Sequence, residues 1–435
     1  MSVRILAVGD MHLGRRPRRL PAGLGDHGID PRSLTPAVAW AGVVDAALEQ
    51  RVQVVLLAGD VIESLEDRFE AYAHLENGVK RLVDAGIRVL GVAGNHDVIA
   101  LPRLAQQIPG FQLLGEGGAW ESAELDFGKD RVRIVGWSFP NRHHSENPLD
   151  GFPVLPDDGT CTLGLLHCDL DAHESEYAPV RSSELERTIC DAWLLGHIHA
   201  PSQLSSPRPI GYLGSVAGLD PGEPGARGPW LLEAHGKGRV EVVAQLSPSP
   251  LRFEREVVDC SGWDEGSANE LEGRLEAAVH AALEQVHARF RVDLGGARVV
   301  AVRISLCGRT RYHSELLELR RKMPFGELIR SLEGVLYFPE KLVDELTPAI
   351  DLAELALVAD PPGLLARRLI ALEQGGTRTD ELVAGFAREI EDVEDKSAHW
   401  SGALELRSPV RERALRVGLR ALEGLLAQRT EEGAS

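Results

Sequence analysis

Apolar residues in the first half of the chain come in short, nearly continuous runs. Runs of this kind are typical of β-strands that are buried on both faces of a sheet. They lie at 3–8, 52–58, 87–93, 132–137, 162–167 and 192–197. Amphipathic stretches at 37–49 and 67–85 fall between some of these runs and predict helices. The alternation predicts a layered α/β domain over residues 1–245.

The pattern changes after residue 245. A stretch rich in Pro and Ser at 247–254 predicts a linker. A strand at 254–259, a helix at 266–290 and a strand at 298–306 are predicted next. We expect these elements to form a small β-α-β domain over 246–311, followed by a mostly helical C-terminal region over 312–435.

The last predicted helix, 409–429, carries a leucine stripe. Leu415, Leu419, Leu422 and Leu426 follow one another at spacings of four, three and four, which places them on one face. Such a stripe either docks a partner protein or packs inside a helical subdomain. The sequence leaves both readings open.

Composition and charge narrow the function. Hydrophobic residues make up 43% of the chain and charged residues 26%, an ordinary globular balance. The net charge of −19 is unusual for a protein that coats DNA unaided, because such proteins are usually basic. An acidic chain that acts on nucleic acid therefore needs bound metal, a local basic patch or a basic partner.

The cellular setting is also indicated by composition. The 5 cysteines form no C-x-x-C pair, so we expect no disulfide framework and a reducing, cytoplasmic environment. The chain enters a strand-like run at once, without the features of a signal peptide. No apolar run approaches the roughly 18 residues that a membrane-spanning helix needs. The chain also lacks a P-loop motif, so we expect it to bind no ATP through such a loop.

Polar side chains follow five of the predicted strands. The stretch "GNHD" at 94–97 would by itself be an ordinary turn. The other strands end in "GDMH", "GD", "HCD" and "GHIH", and ligands of open α/β sheets bind at the carboxyl ends of strands. The candidate ligands are Asp10, His12, Asp60, Asn95, His167, His197 and His199, with His96 and Asp97 beside them.

These side chains suit divalent metal ions. Carboxylate, imidazole and amide ligands together favour ions such as Mn, Fe or Zn, and the absence of motif cysteines disfavours a thiolate zinc site. The ligands are too many for one ion and fit two ions that share a carboxylate. Two such ions form a clamp for in-line attack on phosphorus.

The motif order D-x-H, GD, GNHD, H and GHxH, spread over residues 10–199, resembles the calcineurin-like metallophosphoesterases. The resemblance implies a β-sheet sandwich flanked by helices. It implies that Asp10, His12 and His199 hold one metal, that Asn95, His167 and His197 hold the other, and that Asp60 bridges them. A metal-bridging hydroxide would be the nucleophile, His96 the general acid, and Asp97 the residue that orients His96.

Longer stretches resemble one branch of that superfamily, the SbcD/YhaO-type DNA-repair exonucleases. They include "GDMHLGR", "GWSFPNRHHSENPLDGFP", "LLHCDLDAHESEYAPV" and "DAWLLGHIHAP". The resemblance implies a DNA exonuclease with endonuclease activity, two Mn²⁺ ions, a small capping domain, a homodimer and a coiled-coil ABC ATPase partner of the SbcC or YhaN type. Two alternatives remain, a phosphodiesterase for cyclic nucleotides or other small molecules and a scaffold without turnover.

Two features depart from or add to that pattern. Many SbcD relatives carry His three residues after the bridging Asp, where this chain has Glu63, which either bonds a neighbouring ligand or is an exposed acid at a helix start. The loop after His12 carries Arg15, Arg16, Arg18 and Arg19. This arginine loop either contacts DNA phosphates or is simply solvated. Arg142, His143 and His144 are weaker candidates for the same rim.

Overall fold

The computed structural model describes residues 2–172, 174–263, 268–376 and 409–433, with the short stretches 379–381, 383–385 and 387–388. The chain divides into two compact units. The first comprises Met1–Glu254, Arg289–Ala301 and Ser331–Leu336, and the second comprises Arg255–Ala288, Val302–Arg330 and Tyr337–Ser435.

The first unit contains two β-sheets. Its strands are β1 (Val3–Val8), β2 (Val54–Ala58), β3 (Arg88–Val92), β4 (Phe111–Leu113), β5 (Trp120–Phe127), β6 (Asp130–Trp137), β7 (Cys161–His167), β8 (Ala192–Gly196), β9 (Ile210–Tyr212), β10 (Trp230–Ala234) and β11 (Val240–Gln245). Its helices are α1 (Pro36–Glu49), α2 (Arg68–Asp84), α3 (Ala100–Gln107) and the single turn α4 (Ser182–Leu185).

The six-stranded sheet has the order β11-β10-β1-β2-β3-β4, and β1 to β4 run parallel. The five-stranded sheet has the order β5-β6-β7-β8-β9, with β6 to β9 parallel. Parallel strands of one sheet end at the same edge. The strand ends that carry the predicted ligands therefore belong to two groups, β1 to β3 in one sheet and β7 to β8 in the other.

The two sheets pack face to face. Their shared core combines Ile5, Val54 and Leu56 with Ile134, Leu163 and Leu194, all of which are fully buried. Burying a side chain of this size contributes about 1.5–3 kcal/mol. On the other face of the six-stranded sheet, Leu57 packs with residues of α1 and α2 such as Val43 and Leu75. The prediction of a layered α/β fold is confirmed.

The second unit is also a mixture of strands and helices. A four-stranded sheet of order β12-β13-β15-β14 comprises β12 (Leu251–Asp259), β13 (Val299–Thr310), β14 (Arg330–Leu332) and β15 (Val335–Pro348), some residues of which belong to the first unit. The remaining helices are α5 (Ala268–Phe290), α6 (His313–Lys322), α7 (Leu352–Leu355), α8 (Pro361–Gln374) and α9 (Val410–Gly433). The first two residues of the predicted helix 266–290 lie outside the described residues, and so do residues 389–408 of the predicted helical region.

Two findings refine the predictions for the C-terminal region. Strands β14 and β15 lie where we expected helices, because the run "VLYF" within β15 has aromatic and apolar side chains that suit a buried strand. The leucine stripe of α9 packs inside the second unit, where Leu419 and Leu422 are buried with Ala366 and Leu369 of α8.

Among the residues that the structure describes, no helix combines the length and apolar character needed to span a membrane.

Candidate dinuclear metal centre

The backbone is strained where the strands end. Asp10, His12, Asp60 and His197 have φ values of 28°, 47°, 47° and 105°, in the region that L-residues rarely adopt. Neighbouring backbone bonds hold this geometry, and His12 N donates to Asp60 O at 2.8 Å. Strain of this kind persists only where the surrounding structure enforces it, and it clusters at functional sites.

Asp10, His12 and His199 form a first group of potential metal ligands. The Nε2 atoms of His12 and His199 lie 2.9 Å apart. Asp10 Oδ1 accepts a hydrogen bond from His197 N at 2.9 Å. The other oxygen, Oδ2, is buried and has no hydrogen-bond partner among the described residues. A buried carboxylate oxygen without a partner is costly unless a cation satisfies it.

Carboxylates stand behind both imidazoles of this group. His12 Nδ1 lies 2.7 Å from Glu63 Oε2, and His199 Nδ1 lies 2.7 Å from Glu223 Oε1. The Glu63 approach is off the direction of the ring N–H, so it is an electrostatic contact rather than an aligned hydrogen bond. Both carboxylates favour a proton on Nδ1. The two Nε2 lone pairs then face each other, which fits a cation between them.

A second group consists of Asp10, Asp60 and His167. His167 Nδ1 lies 3.1 Å from the carbonyl oxygen of Ala58, so this nitrogen carries the proton. Its Nε2 faces Asn95 Oδ1 at 3.0 Å and Asp60 Oδ2 at 3.5 Å. Here too an imidazole lone pair faces acceptor oxygens, which repel it. A cation bound between these atoms would replace the repulsion by attraction.

Asp60 lies between the two groups. Its Oδ2 is 3.5 Å from His167 Nε2 and 3.9 Å from His12 Nε2. Burial would raise the pKa of Asp60, but the imidazoles of His167 and His12 outweigh it and lower that pKa. A carboxylate that faces both groups fits the position of a bridging ligand.

His197 completes the set from a greater distance. Its ring centroid is 5.2 Å from that of His167, and its Nε2 lies 3.2 Å from Asp169 Oδ1. The carboxylate fixes Nε2, which leaves Nδ1 for an ion. Oxygen and nitrogen atoms in these groups suit two divalent ions.

His96 differs from these histidines. It is partly exposed, and its Nδ1 lies 3.0 Å from the backbone oxygen of Glu63. Its backbone N–H donates to Asp60 Oδ1 at 2.9 Å, and its ring centroid is 5.1 Å from that of His12. His96 also falls within a cluster with His12 and Glu63. The ring is thus fixed at the edge of the site.

The prediction that Asp97 orients His96 is wrong in this structure. Asp97 Oδ1 accepts a hydrogen bond from Gly94 N at 2.7 Å, and Oδ2 accepts one from Val61 N at 2.7 Å. The side chain is fully buried, and burial together with nearby Asp60 raises its pKa. Asp97 ties two strand-end turns together, and the acceptor for His96 is the Glu63 carbonyl.

Three carboxylates beside the ligands extend the predicted site. Glu63 contacts His12, as one of our two readings of that position held, and its pKa is lowered to about 2, where burial is outweighed by His12. Asp169 and Glu223 were not predicted. Asp169 lies two residues after His167 in "HCD", a signal that could have been used. No motif in the sequence marks Glu223.

The arginine loop starts beside the candidate metal ligands. Arg15 is half-buried, with Nη1 4.0 Å from Glu63 Oε2, whereas Arg16, Arg18 and Arg19 are exposed. On another side, His143 stacks near Tyr177 at 5.6 Å between centroids, and Tyr177 lies 5.0 Å from His197. Both predicted rim segments therefore approach the site.

Comparison with known proteins agrees with this geometry. Residues 3–201 match the family model for calcineurin-like phosphoesterase. The chain is 28% identical over 194 residues to the uncharacterized metallophosphoesterase YhaO of Bacillus subtilis, covering 44% of this chain and 47% of YhaO. It is 30% identical over 232 residues to the DNA double-strand break repair protein Mre11 of Aeropyrum pernix, covering 50% and 54%.

The chain spans about half the length of these curated relatives. Among solved structures, it is similar to the calcineurin-like phosphoesterase YfkN from Bacillus subtilis, at 12% identity and a TM-score of 0.37 over 56% of this chain and 88% of that one. It is also similar to a dimetal phosphatase from Danio rerio, at 16% identity and a TM-score of 0.34 over 55% and 98%. Over residues 3–201, the chain is therefore similar to the calcineurin-like phosphoesterases.

Proposed function

We propose that this protein is a metal-dependent DNA nuclease that acts in DNA repair as an exonuclease and endonuclease. The observation that carries the proposal is the arrangement of two groups of potential metal ligands, with Asp60 between them. The similarity to Mre11, which is named as a DNA double-strand break repair protein, supports DNA as the substrate.

The contacts support the ligand assignment that the family resemblance implies. Asp10, His12 and His199 would hold one ion, Asn95, His167 and His197 would hold the other, and Asp60 would touch both. We propose Mn²⁺ for both positions, in keeping with the mixture of carboxylate, amide and imidazole atoms. Two bound ions would supply the Lewis acidity that activates water and neutralises charge on the phosphate.

His96 is the proposed proton donor to the leaving oxygen. The Glu63 carbonyl, 3.0 Å from its Nδ1, fixes the ring and leaves Nε2 for the proton that is transferred. The partial exposure of His96 lets a phosphodiester approach it, while the other ring positions of the site face buried ligands. The role needs His96 to be free of both ions.

The arginine loop is the proposed contact for the DNA backbone. The chain carries a net charge of −19, so it needs a local positive surface to bind a polyanion. Arg16 and Arg18 are exposed and directly follow the half-buried Arg15 beside the ligands. Binding through such residues would be independent of DNA sequence and sensitive to salt.

We also propose that the nuclease works in the cytoplasm as a homodimer with a coiled-coil ABC ATPase of the SbcC or YhaN type. The resemblance of the chain to SbcD/YhaO-type enzymes supports this assembly. Because the chain has no P-loop, ATP would be bound by the partner. Co-purification with such an ATPase, and a dimeric mass in light scattering, are the expected results.

The test is a nuclease assay on linear duplex and hairpin DNA with Mn²⁺. We expect cleavage that is abolished by EDTA. In His96→Ala, cleavage should fall by 10²–10⁴-fold because the proton donor is lost, while calorimetry still detects two bound ions.

Two results would count against the proposal. Hydrolysis of cyclic nucleotides with intact DNA would make the enzyme a small-molecule phosphodiesterase. Metal-loaded protein that acts on neither substrate would indicate a scaffold without turnover.

A further inference from the structure

A segment outside the family match lies directly behind the first group of ligands. This brace segment, residues 213–227, begins beyond the matched residues 3–201. Ser215 N donates to the backbone oxygen of His199 at 3.0 Å, and Val216 N lies 3.4 Å from that of Asp10. Gly214, at φ 74°, approaches so closely that a Cβ there would lie 2.9 Å from the His199 oxygen.

Glu223 extends the brace segment to the imidazole itself. Its Oε1 lies 2.7 Å from His199 Nδ1, and its Oε2 accepts a hydrogen bond from Leu219 N at 3.1 Å. The side chain is only 14% exposed, so solvent screens the contact weakly. The carboxylate is therefore fixed by its own loop before it fixes the ring.

Arg227 holds the backbone of the same histidine. The side chain is buried at 3% exposure, Nη1 donates to the His199 carbonyl, and Nη2 donates to Pro224 O at 3.0 Å. Its charge also faces Glu223. Ring and backbone of His199 are thus held by two residues of one segment.

We propose that the brace segment positions His199 for metal binding, with Glu223 keeping the proton on Nδ1 so that Nε2 faces the ion. The inference rests on the proposal that the site binds two ions, and it requires nothing about the substrate. His167, in the second group, has the neutral carbonyl oxygen of Ala58 nearest to its Nδ1 at 3.1 Å, with Asp10 Oδ1 farther away at 4.0 Å, and it has no contact with Glu223 among the described residues. The effect of Glu223 should therefore be confined to the ion held by Asp10, His12 and His199.

The first test is Mn²⁺ binding to Glu223→Gln, measured by calorimetry and by the electron paramagnetic resonance spectrum of bound Mn²⁺. We expect one of the two ions to bind 10–100-fold more weakly, because the outer partner of a ligating imidazole affects affinity by that factor. The matched control is Glu233→Gln. Glu233 is 24% exposed and contacts Arg4, Ser2 and His235, none of which is a ligand. Its variant should bind both ions like the parent.

A double-mutant cycle separates positioning from a general effect of charge. If Glu223 acts through His199, Glu223→Gln should change affinity by less than twofold in a His199→Ala background. A full loss in that background would overturn the proposal, and so would unchanged affinity in the single variant.

The tautomer of His199 can be measured on the parent protein, so this test does not depend on the folding of a variant. Nitrogen NMR of metal-free parent protein with ¹⁵N-labelled histidine should show His199 protonated at Nδ1. Protonation at Nε2 alone would overturn the proposal. If the parent protein binds no divalent ion, both the proposed function and the proposed role of the brace segment are refuted. If Glu223→Gln binds metal normally, only the role of the brace segment is refuted.

Discussion

Each imidazole of the candidate metal centre has one nitrogen turned toward the site and the other toward a fixed oxygen atom. These oxygen atoms belong to Glu63, Ala58, Asp169 and Glu223, and the Glu63 contact is electrostatic rather than an aligned hydrogen bond. These contacts fix the orientation of the rings without a bound ion. His96 differs from these rings in its partial exposure at the edge of the site, where its Nδ1 faces the backbone oxygen of Glu63.

Asp97 offers a prediction at the level of one residue. Replacing it by Ala would leave the buried N–H groups of Gly94 and Val61 without acceptors. We expect Asp97→Ala to lower the free energy of unfolding by about 2–5 kcal/mol in EDTA. Denaturant titration monitored by circular dichroism would measure it.

His96→Ala is the control for that experiment. The His96 side chain is partly exposed, so its removal should change the free energy of unfolding by less than about 1 kcal/mol. If Asp97→Ala instead keeps parental stability and loses activity as His96→Ala does, then Asp97 acts on His96 after all.

The ligand types could be predicted from sequence because they are local features of strand ends. Glu63 could be proposed as a residue that bonds a ligand, but Glu223 and the partners of Asp97 could not be predicted, because they come from distant segments. Glu223 is 24 residues from His199, and the Asp97 carboxylate bonds a backbone N–H that is 36 residues away. Which donor a buried carboxylate finds depends on how two strand-end turns approach, and no local pattern encodes that approach.

At the level of elements, the helices of the first unit are packed closely enough to exclude a methyl group. The indole of Trp40 on α1 lies against Gly78 on α2, and a Cβ at Gly78 would be 2.2 Å from Trp40 Nε1. That nitrogen donates to His74 O at 3.1 Å, so the ring is held in place. Here the sequence predicted both helices, but it could not show which residue lies at the crossing.

Gly78→Ala should therefore destabilise the first unit. Overpacking costs about 1–3 kcal/mol, which exceeds the gain of up to about 1 kcal/mol from better helix propensity. Gly273 on α5 is a matched control, because a Cβ there meets nothing within 4 Å. Gly273→Ala should stabilise its unit by up to about 1 kcal/mol. Thermal unfolding of both variants decides the matter, and equal shifts would contradict the packing argument.

The strands of the second unit show where element prediction stops. The end of β15, "EKLVDEL", alternates charge and apolar residues in a way that also suits an amphipathic helix. Pairing with β13 and β14 decides the outcome, and that pairing is a tertiary effect. The leucine stripe of α9, by contrast, was correctly expected to be a helix face, and the structure shows it packed on α8.

For the whole molecule, the proposed nuclease function gives a prediction about DNA binding, because the net charge of −19 contrasts with the local arginine loop. We expect Arg16→Gln and Arg18→Gln each to reduce the slope of log affinity against log salt by about 0.9 if each side chain neutralises one phosphate. Fluorescence anisotropy at several salt concentrations would measure the slope. Arg32→Gln is the control, because Arg32 is exposed outside this loop and pairs with Asp30 at 2.9 Å. Equal slopes in all three variants would rule out the loop as the DNA contact.

The facing Nε2 atoms of His12 and His199 have a consequence for the stability of the folded protein. They come from strand ends in different sheets, and 187 residues separate them in sequence. An ion between them would act as a reversible cross-link that closes a very long loop, and cross-links of long loops remove the most entropy from the unfolded chain. The proposed ions would thus cross-link the two sheets, and metal binding would raise the free energy of unfolding of the protein as well as support its activity.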